Sequence, residues 1–188
     1  TPLVHLHQVI PVGVVCMRPP RPSVLKGQVM KRSENRGFFA IGVYHAKTEA
    51  NIGTLMRSAF LYQAAFVFTV GHRYEKQASD TPNTTLHIPL FNFQTIDDLI
   101  EHLPNGAPLV GVELDPRGEE LPDYKHPERA VYLLGAEDRG LPQHVIDRCH
   151  SLVEIPTPEP QSMNVATAGT VMLYDRHAKA MARRAVMA

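Results

Sequence analysis

The stretch that decides the fold is residues 130–142, AVYLLGAEDRGLP. Its first five residues form an uncharged, largely apolar run, which is typical of a strand buried on both faces of a parallel sheet. Gly135 and Gly140 bracket the charged turn that follows, and Pro142 stands where a short helix over residues 142–149 is predicted to begin. Glycines let such a turn be tight and present its amides to a ligand. The stretch therefore predicts a strand, a loop and a helix, the loop being either a ligand site or a plain polar connection.

The same alternation of strand and helix extends outward from this stretch, beginning at residue 38. Amphipathic spacing predicts helices over residues 51–63, 95–103 and 164–184, with Thr95 and Asn164 in capping positions. Short apolar runs predict the other strands, over residues 38–44, 66–70, 88–91, 109–113 and 152–155. We predict an α/β fold with a mostly parallel sheet flanked by helices, and ligands beyond the carboxyl ends of its strands.

The beginning of the chain follows no such pattern. Residues 1–29 contain five prolines and show no clean period. We interpret residues 1–36 as a partly irregular N-terminal arm or extension, with residues 37–188 as the folded domain. A strand over residues 8–16 at the edge of a sheet is the alternative.

Composition limits the partners and the location. The 19 basic and 19 acidic residues leave no net charge, which by itself counts against a nucleic-acid partner bound through its phosphates. Basic residues do gather locally, either as phosphate-binding patches or as solvated helix faces, and they are Lys31, Arg32, Arg36, Arg176, His177, Lys179, Arg183 and Arg184.

The sequence lacks the signatures of several other classes of protein. No apolar run has the length of a membrane span, and two cysteines without C-x-x-C spacing favour a reducing cytoplasm. The ten histidines show no metal-ligand spacing, so we expect no metal. Walker, G-x-G-x-x-G and G-x-S-x-G motifs are absent, which disfavours nucleotide-dependent oxidoreductases and hydrolases of those types.

Two further loops place polar side chains where a helix is predicted to begin. Asn51 can cap its helix, Gly53 permits close approach of another backbone, and Arg57 lies outside the apolar stripe. Further along, Ser162 and Asn164 precede the last predicted helix. A helix N-terminus with a nearby arginine attracts phosphate. Taken alone, the first loop is better explained as a capped helix, and the second is explained equally well by a cap.

Taken in order, the three loops resemble the SpoU/TrmH branch of the SPOUT methyltransferases, over about residues 37–184. That branch carries three motifs, N-x-G-x-x-x-R, G-x-E-x-x-G-L after a strand, and I-P followed by S-[LM]-N-V-A. The matching positions are Asn51, Gly53 and Arg57; Gly135, Glu137, Gly140 and Leu141; and Ile155, Pro156, Ser162, Met163, Asn164, Val165 and Ala166. Three motifs in order are far more specific than one glycine-rich loop.

The resemblance implies a C-terminal deep trefoil knot, a homodimer and S-adenosylmethionine as cofactor. Crossing backbones in a knot would explain Gly135, Gly140 and Gly169, the last of which lies inside a predicted helix. The cofactor would be held by three loops, and the matching positions are Val112, Glu113, Leu114, Leu134, Gly135, Gly140, Ile155, Pro156 and Met163.

The resemblance also implies a reaction, the transfer of a methyl group to a ribose 2′-hydroxyl of tRNA or rRNA. Arg57 would be the catalytic arginine, in its own or the partner subunit's site, and would hold phosphate or a developing alkoxide because guanidinium stays protonated. Ser162 and Asn164 would orient the ribose or the cofactor loop, Asn51 would position Arg57 or the RNA, and Glu137 would fix the loop. The alternative is a protein of the same fold that binds S-adenosylmethionine and RNA without catalysis.

Overall fold

The computed structural model describes residues 37–72, 74, 88–159 and 161–187. The predicted arm over residues 1–36, with its basic residues and the alternative strand, lies outside this part of the chain. None of the helices within it is both long and apolar enough to cross a membrane.

A parallel sheet forms the centre of the described part. Its seven strands are β1 (Phe39–Tyr44), β2 (Phe66–Val70), β3 (Leu90–Phe93), β4 (Leu109–Val112), β5 (Glu119–Glu120), β6 (Ala130–Leu134) and β7 (Ser151–Glu154). The helices are α1 (Glu49–Leu61), α2 (Ile96–Glu101), α3 (Gln143–Ile146) and α4 (Val165–Met187), with a short 3-10 turn at Pro104–Gly106. The strand order is β3-β2-β1-β6-β4-β7-β5, and every pairing is parallel. The predicted α/β fold with a mostly parallel sheet is confirmed.

Helices cover both faces of the sheet, and strand β6 shows why its residues are apolar without alternation. Tyr132 and Leu134 belong to the core that α1 and α4 cover, whereas Val131 and Leu133 belong to the core on the α2 and α3 side. All five residues of β6 are buried. A central strand of this kind must be apolar on both faces, as its uncharged run predicted.

Several predicted boundaries differ from the observed ones. Helix α1 begins at Glu49 after Thr48, so Asn51 lies in its first turn and the prediction that Asn51 caps it is wrong. Strand β5 was missed because its two glutamates are exposed and carry no apolar signal. The caps at Thr95 and Asn164 are confirmed, since their side chains accept hydrogen bonds from Asp98 N at 3.1 Å and Ala166 N at 3.0 Å.

Gly169 has a different neighbour from the one predicted. A Cβ atom at this position would lie 2.4 Å from Cδ1 of Leu55, so the glycine makes room for a side chain of α1 rather than for a crossing backbone. The packing of α4 against α1 therefore depends on this position. The trefoil knot stays a prediction from the resemblance.

A buried polar network fastens α4 to the loop before β6. His126 is only 4% exposed, and its ring nitrogens lie 2.8 Å from the Tyr132 hydroxyl and 2.8 Å from Asp175 Oδ2. Arg176 donates to the carbonyls of Pro127 and Glu128 and to Tyr132. Burial lowers the pKa of His126 to about 4, a larger effect than the opposing hydrogen bond to Asp175.

This network predicts a loss of stability in mild acid. An unfolded histidine has a pKa near 6.5, so between about pH 6.5 and 4 the unfolded chain takes up a proton that folded His126 does not. Stability from this group is therefore complete above pH 6.5, and roughly 3 kcal/mol is lost by pH 4. Urea unfolding across this range should show a shallower decline for His126→Asn than for the wild type. Parallel curves would contradict this role for His126.

Candidate functional site

The candidate site lies where three neighbouring strands end. Strands β6, β4 and β7 are adjacent and parallel, so the loops that follow them emerge at one edge of the sheet. A cavity of about 290 Å³ lies between these loops, close to the lower end of the range for small-molecule pockets. Its lining residues are Val112, Glu113, Leu114, Leu134, Gly135, Ala136, Glu137, Asp138, Arg139, Gly140, Ile155, Thr157, Gln161, Ser162, Met163, Val165 and Ala168.

The loop after β6 is closed on itself and clasped by Glu113. Ala136 and Gly140 exchange two backbone hydrogen bonds, of 3.2 and 2.9 Å. The Glu113 carboxylate accepts from the amides of Leu114 at 3.0 Å and Leu141 at 2.5 Å. Gly140 has a φ of +61°, and a Cβ there would lie 2.4 Å from Glu113 Oε2. The clasp therefore requires glycine at this position.

Glu137 joins the same loop to the beginning of α1. Its carboxylate accepts from Asn51 Nδ2 at 2.6 Å, from the Lys47 amide at 3.2 Å and from the Thr48 hydroxyl at 3.4 Å. Partial burial raises the pKa of Glu137, but the hydrogen bonds together outweigh this effect and the pKa lies below its ordinary value. The side chain is therefore an ionised anchor near neutral pH. The expectation that Glu137 fixes loop geometry agrees with these contacts, although most of the partners belong to another element.

Asn51 and Asn164 extend this anchor to the third loop. Asn164 Nδ2 donates to Asn51 Oδ1 at 3.1 Å, while Asn164 Oδ1 caps α4 by accepting from the amides of Ala166 and Thr167. A continuous chain of hydrogen bonds thus runs from Glu137 through Asn51 to Asn164. It connects one polar residue from each of the three loops singled out in the sequence.

The hydrogen bonds from Glu137 through Asn51 to Asn164 lead to a prediction for the substitution Asn51→Asp. The substitution keeps the shape of the side chain but places a second carboxylate beside Glu137, whose oxygen lies 2.6 Å from Asn51 Nδ2. We expect a loss of about 1–3 kcal/mol in unfolding free energy at pH 7, the cost of an unsatisfied group in such a pair. Because protonation removes the repulsion, the gap to the wild type should narrow towards pH 4, as measured by urea unfolding. A pH-independent gap would refute the charge argument.

The predicted site residues fall into two groups. Ten of the fourteen positions line the cavity, namely Val112, Glu113, Leu114, Leu134, Gly135, Glu137, Gly140, Ile155, Ser162 and Met163. Asn51, Asn164, Pro156 and Arg57 do not. Arg57 is exposed on α1, six residues after Asn51, which is about 9 Å further along the helix axis.

Sequence reasoning missed two residues that hold the site together, Lys47 and Thr48. Besides its amide contact with Glu137, Lys47 pairs with Asp138 through Nζ and Oδ2 at 2.7 Å, and this pairing lowers the pKa of Asp138. A threonine before an apolar helix is itself a start signal, and it would have placed the beginning of α1 correctly.

Two of the five basic residues between positions 176 and 184 serve the fold. Arg176 and Lys179 donate to backbone carbonyls of the segment 121–128, so they are not open for phosphate in the way that a surface patch would be. Within the described residues no cluster of three or more histidine, cysteine or acidic side chains could hold a metal ion.

Comparison with known proteins decides the family. The model of the SpoU rRNA Methylase family matches residues 39–174, which is most of the chain. The chain belongs to the SpoU rRNA methylase family. SpoU methyltransferases use S-adenosylmethionine as methyl donor. The three motif loops and the cavity between them all lie within the matched residues, so the resemblance recognised from the motifs is confirmed.

Curated relatives agree with this assignment. An uncharacterized tRNA/rRNA methyltransferase of Archaeoglobus fulgidus is 27% identical over 152 residues, covering 78% of this chain and 67% of the relative. The mouse tRNA (guanosine(18)-2′-O)-methyltransferase TARBP1 is 30% identical over 83 residues. That match covers 44% of this chain and 5% of the mouse protein, so the chain corresponds to a small part of it.

Solved structures show the same fold. A structure concerned with 2-OH methylation of C/U34 on tRNA has a TM-score of 0.66 at 24% identity, covering 78% of this chain and 98% of the other. The SpoU methyltransferase AviRb of Streptomyces viridochromogenes, in complex with S-adenosylmethionine, has a TM-score of 0.69 at 22% identity, covering 77% and 58%. The A. aeolicus TrmH/SpoU tRNA modifying enzyme has a TM-score of 0.70 at 16% identity, covering 79% and 78%.

Proposed function

We propose that this SpoU-family chain transfers the methyl group of S-adenosylmethionine to a ribose 2′-hydroxyl of tRNA or rRNA. The observation that carries the proposal is the hydrogen-bonded chain from Glu137 through Asn51 to Asn164. It brings the three motif loops together beside a cavity at the carboxyl ends of β4, β6 and β7. Ligands of open parallel sheets bind at this edge.

The cavity suits an adenosyl ligand. Leu114, Leu134, Ile155 and Met163 supply apolar walls. The loop over residues 135–140 supplies polar backbone groups and brings the charged residues Glu137, Asp138 and Arg139 to the lining. A Cβ at Gly135 would lie 2.3 Å from the Gly140 carbonyl carbon, so a side chain at Gly135 would clash with the backbone of its own loop. When bound, S-adenosylmethionine supplies an activated methyl group, and the protein supplies position and electrostatics.

Two polar motif residues, Arg57 outside the cavity and Ser162 on its lining, suit the RNA side of the reaction. Arg57 stays protonated, so its guanidinium can hold a phosphate and stabilise the alkoxide that develops on the ribose oxygen. Ser162 is exposed at the cavity and can donate a hydrogen bond to the ribose. Glu137 already accepts three hydrogen bonds and has a lowered pKa, so it positions the loop and is a poor base.

We further propose that the chain forms a homodimer and that Arg57 acts in the partner's site. Arg57 does not line the cavity of its own chain. Helices α1 and α4 carry large apolar side chains that are more than half exposed, Leu61 on α1 and Tyr174 and Met181 on α4. Pairing of these faces between two copies would cover them and carry Arg57 across the interface.

The substrate is supported from two sides. The mouse relative is named for 2′-O-methylation of a tRNA guanosine, and one structural neighbour concerns 2-OH methylation on tRNA.

The test is transfer of tritium from labelled S-adenosylmethionine to bulk tRNA and bulk rRNA, followed by alkaline hydrolysis. Label in alkali-stable dinucleotides supports 2′-O transfer, because a methylated ribose oxygen cannot attack the adjacent phosphate. Label in mononucleotides would place the methyl group on a base. Binding of both ligands without transfer would favour the non-catalytic alternative.

A further inference from the structure

A group of rings lies one strand away from the cavity, at the same edge of the sheet. Tyr44 ends β1, His45 follows it, and His144 is in the first turn of α3. The Tyr44 ring makes edge-to-face contacts with His45, at 4.5 Å between centroids, and with His144, at 6.4 Å. We call Tyr44, His45 and His144 the ring cluster.

His45 adopts a left-handed backbone conformation, which is uncommon outside glycine although histidine adopts it more often than most residues. Its φ is +47°, in the left-handed region that side chains other than glycine rarely adopt. The adjoining Gly71 has a φ of +70°, and a Cβ there would lie 2.3 Å from Nε2 of His45. Gly71 adopts its positive φ without strain, and its lack of a side chain leaves room for the exposed imidazole of His45. Strain of the kind at His45 persists where the surrounding structure holds it and is concentrated at functional sites.

The ring cluster adjoins the candidate site directly. Val43 pairs with Leu134, so His45 and the loop after β6 leave the sheet side by side. Two residues after His45, the Lys47 amide donates to Glu137. His144 lies in α3, which follows the loop after β6 along the chain, and its Nε2 lies 3.5 Å from the Tyr44 hydroxyl. A polymer whose ribose reaches the cavity can therefore also reach these rings.

Base stacking is a better source of RNA affinity near the ring cluster than attraction of phosphates. Lys47, two residues after His45, is already paired with Asp138 at 2.7 Å, and the chain as a whole has no net charge. Nucleobases of unpaired RNA stack on aromatic and imidazole rings whatever their sequence. His45, exposed and held at the edge, presents such a ring.

We propose that the ring cluster binds a nucleotide neighbouring the methylated one in an unpaired RNA segment, with its base stacked on His45. The inference rests on the proposed function, since it assumes that RNA occupies this edge of the sheet. It adds a substrate-positioning surface outside the motif residues. It also implies that the target ribose lies in a single-stranded loop, because the neighbouring base must leave its own stack to reach the ring.

The test uses His45→Asn in the full chain. Asparagine tolerates the left-handed region, so this variant removes the ring without adding backbone strain. Fluorescence anisotropy with a short fluorescein-labelled oligouridylate measures RNA binding, and calorimetry measures the affinity for S-adenosylmethionine. We expect RNA binding to weaken about tenfold, within the range for loss of one stacked base, with cofactor affinity unchanged. The matched control is His102→Asn, an exposed imidazole at the end of α2 that should leave RNA binding unchanged.

The outcomes separate this inference from the proposed function. Wild-type protein that methylates RNA, together with a His45→Asn variant that binds oligouridylate equally well, would overturn only the ring cluster. Loss of affinity in both His45→Asn and His102→Asn would also overturn it, because the effect would then not be local. Wild-type protein that binds S-adenosylmethionine but no RNA would overturn both proposals.

Discussion

Arg57→Ala is expected to lower methyl transfer about a hundred- to a thousandfold, the range for removing one donor that stabilises charge in a transition state. Arg57 is exposed and lies outside the buried face of α1, so its removal leaves no cavity in the core. It does not line the cavity proposed for S-adenosylmethionine, and the affinity for that cofactor should stay within about twofold of the wild type. Single-turnover methylation of RNA and calorimetry measure the two quantities separately.

Two variants control this experiment. Arg148→Ala removes another exposed arginine, one paired with Asp97 on a different part of the surface, and should leave methylation unchanged. Arg57→Lys keeps the charge but loses the planar fork, so we expect partial activity. Full turnover in Arg57→Ala would remove Arg57 from the mechanism, and weakened cofactor binding would assign it a different role.

Gly140→Ala has the second large expected effect, on S-adenosylmethionine binding. The new Cβ would lie 2.4 Å from Glu113 Oε2, in a residue whose φ is +61°. Glu113 must then leave the Leu141 amide, and the loop over residues 135–140, which borders the cavity proposed for the cofactor, opens. Left-handed backbone alone costs about 1–2 kcal/mol in an alanine, and the lost clasp adds to this. We expect cofactor affinity to fall about a hundredfold, since every 1.4 kcal/mol is about tenfold.

Gly106→Ala is the matched control for this variant. Gly106 has a similar φ of +66°, but a Cβ there meets no atom within 4 Å. It therefore carries the cost of left-handed backbone without the clash, and it lies outside the cavity. We expect lower thermal stability in both variants and weaker cofactor binding in Gly140→Ala alone. Equal cofactor affinity in the two variants would refute the clasp between Glu113 and residues 140–141.

The two variants together test whether Arg57 acts across a dimer interface. The Arg57→Ala chain still has an intact cavity, and the Gly140→Ala chain, assayed at a concentration of S-adenosylmethionine too low to load it, still has its arginine. If Arg57 reaches the partner's site, mixing and re-associating the two should restore part of the methylation. If it acts within its own chain, the mixture stays inactive, because each site then lacks one of the two residues.

Much of the fold follows from short-range signals. The charge-free run at residues 130–134 is buried on both faces, and the caps at Thr95 and Asn164 begin helices as predicted. Strand β5 could not be found in this way, because two exposed glutamates join the sheet edge only through their pairing with β7. The start of α1 was misplaced because Asn51 was read as a cap, whereas its amide serves contacts 86 and 113 residues away along the chain.

Most residues of the candidate site could be predicted from the sequence, but the hydrogen bonds that join its loops could not. The motifs include six of the ten predicted positions that line the cavity, and the cofactor loops implied by the resemblance include the other four. Whether they bind a cofactor stays a prediction, as do the knot, the homodimer and the cytoplasmic location. The contacts of Lys47 and Thr48 with the loop after β6 depend on which strands are neighbours. Strand order 1-6-4-7 cannot be read from local pattern, because it reflects long-range pairing.

The most direct test of the central claim is a crystal structure with S-adenosylhomocysteine, the product that remains after methyl transfer. We expect its adenosine between the loops 112–114, 134–140 and 155–163, with the thioether sulfur open towards the side of Ser162 and Asn164. Electron density for the ligand elsewhere on the chain, or an empty cavity under conditions where calorimetry shows saturation, would contradict it.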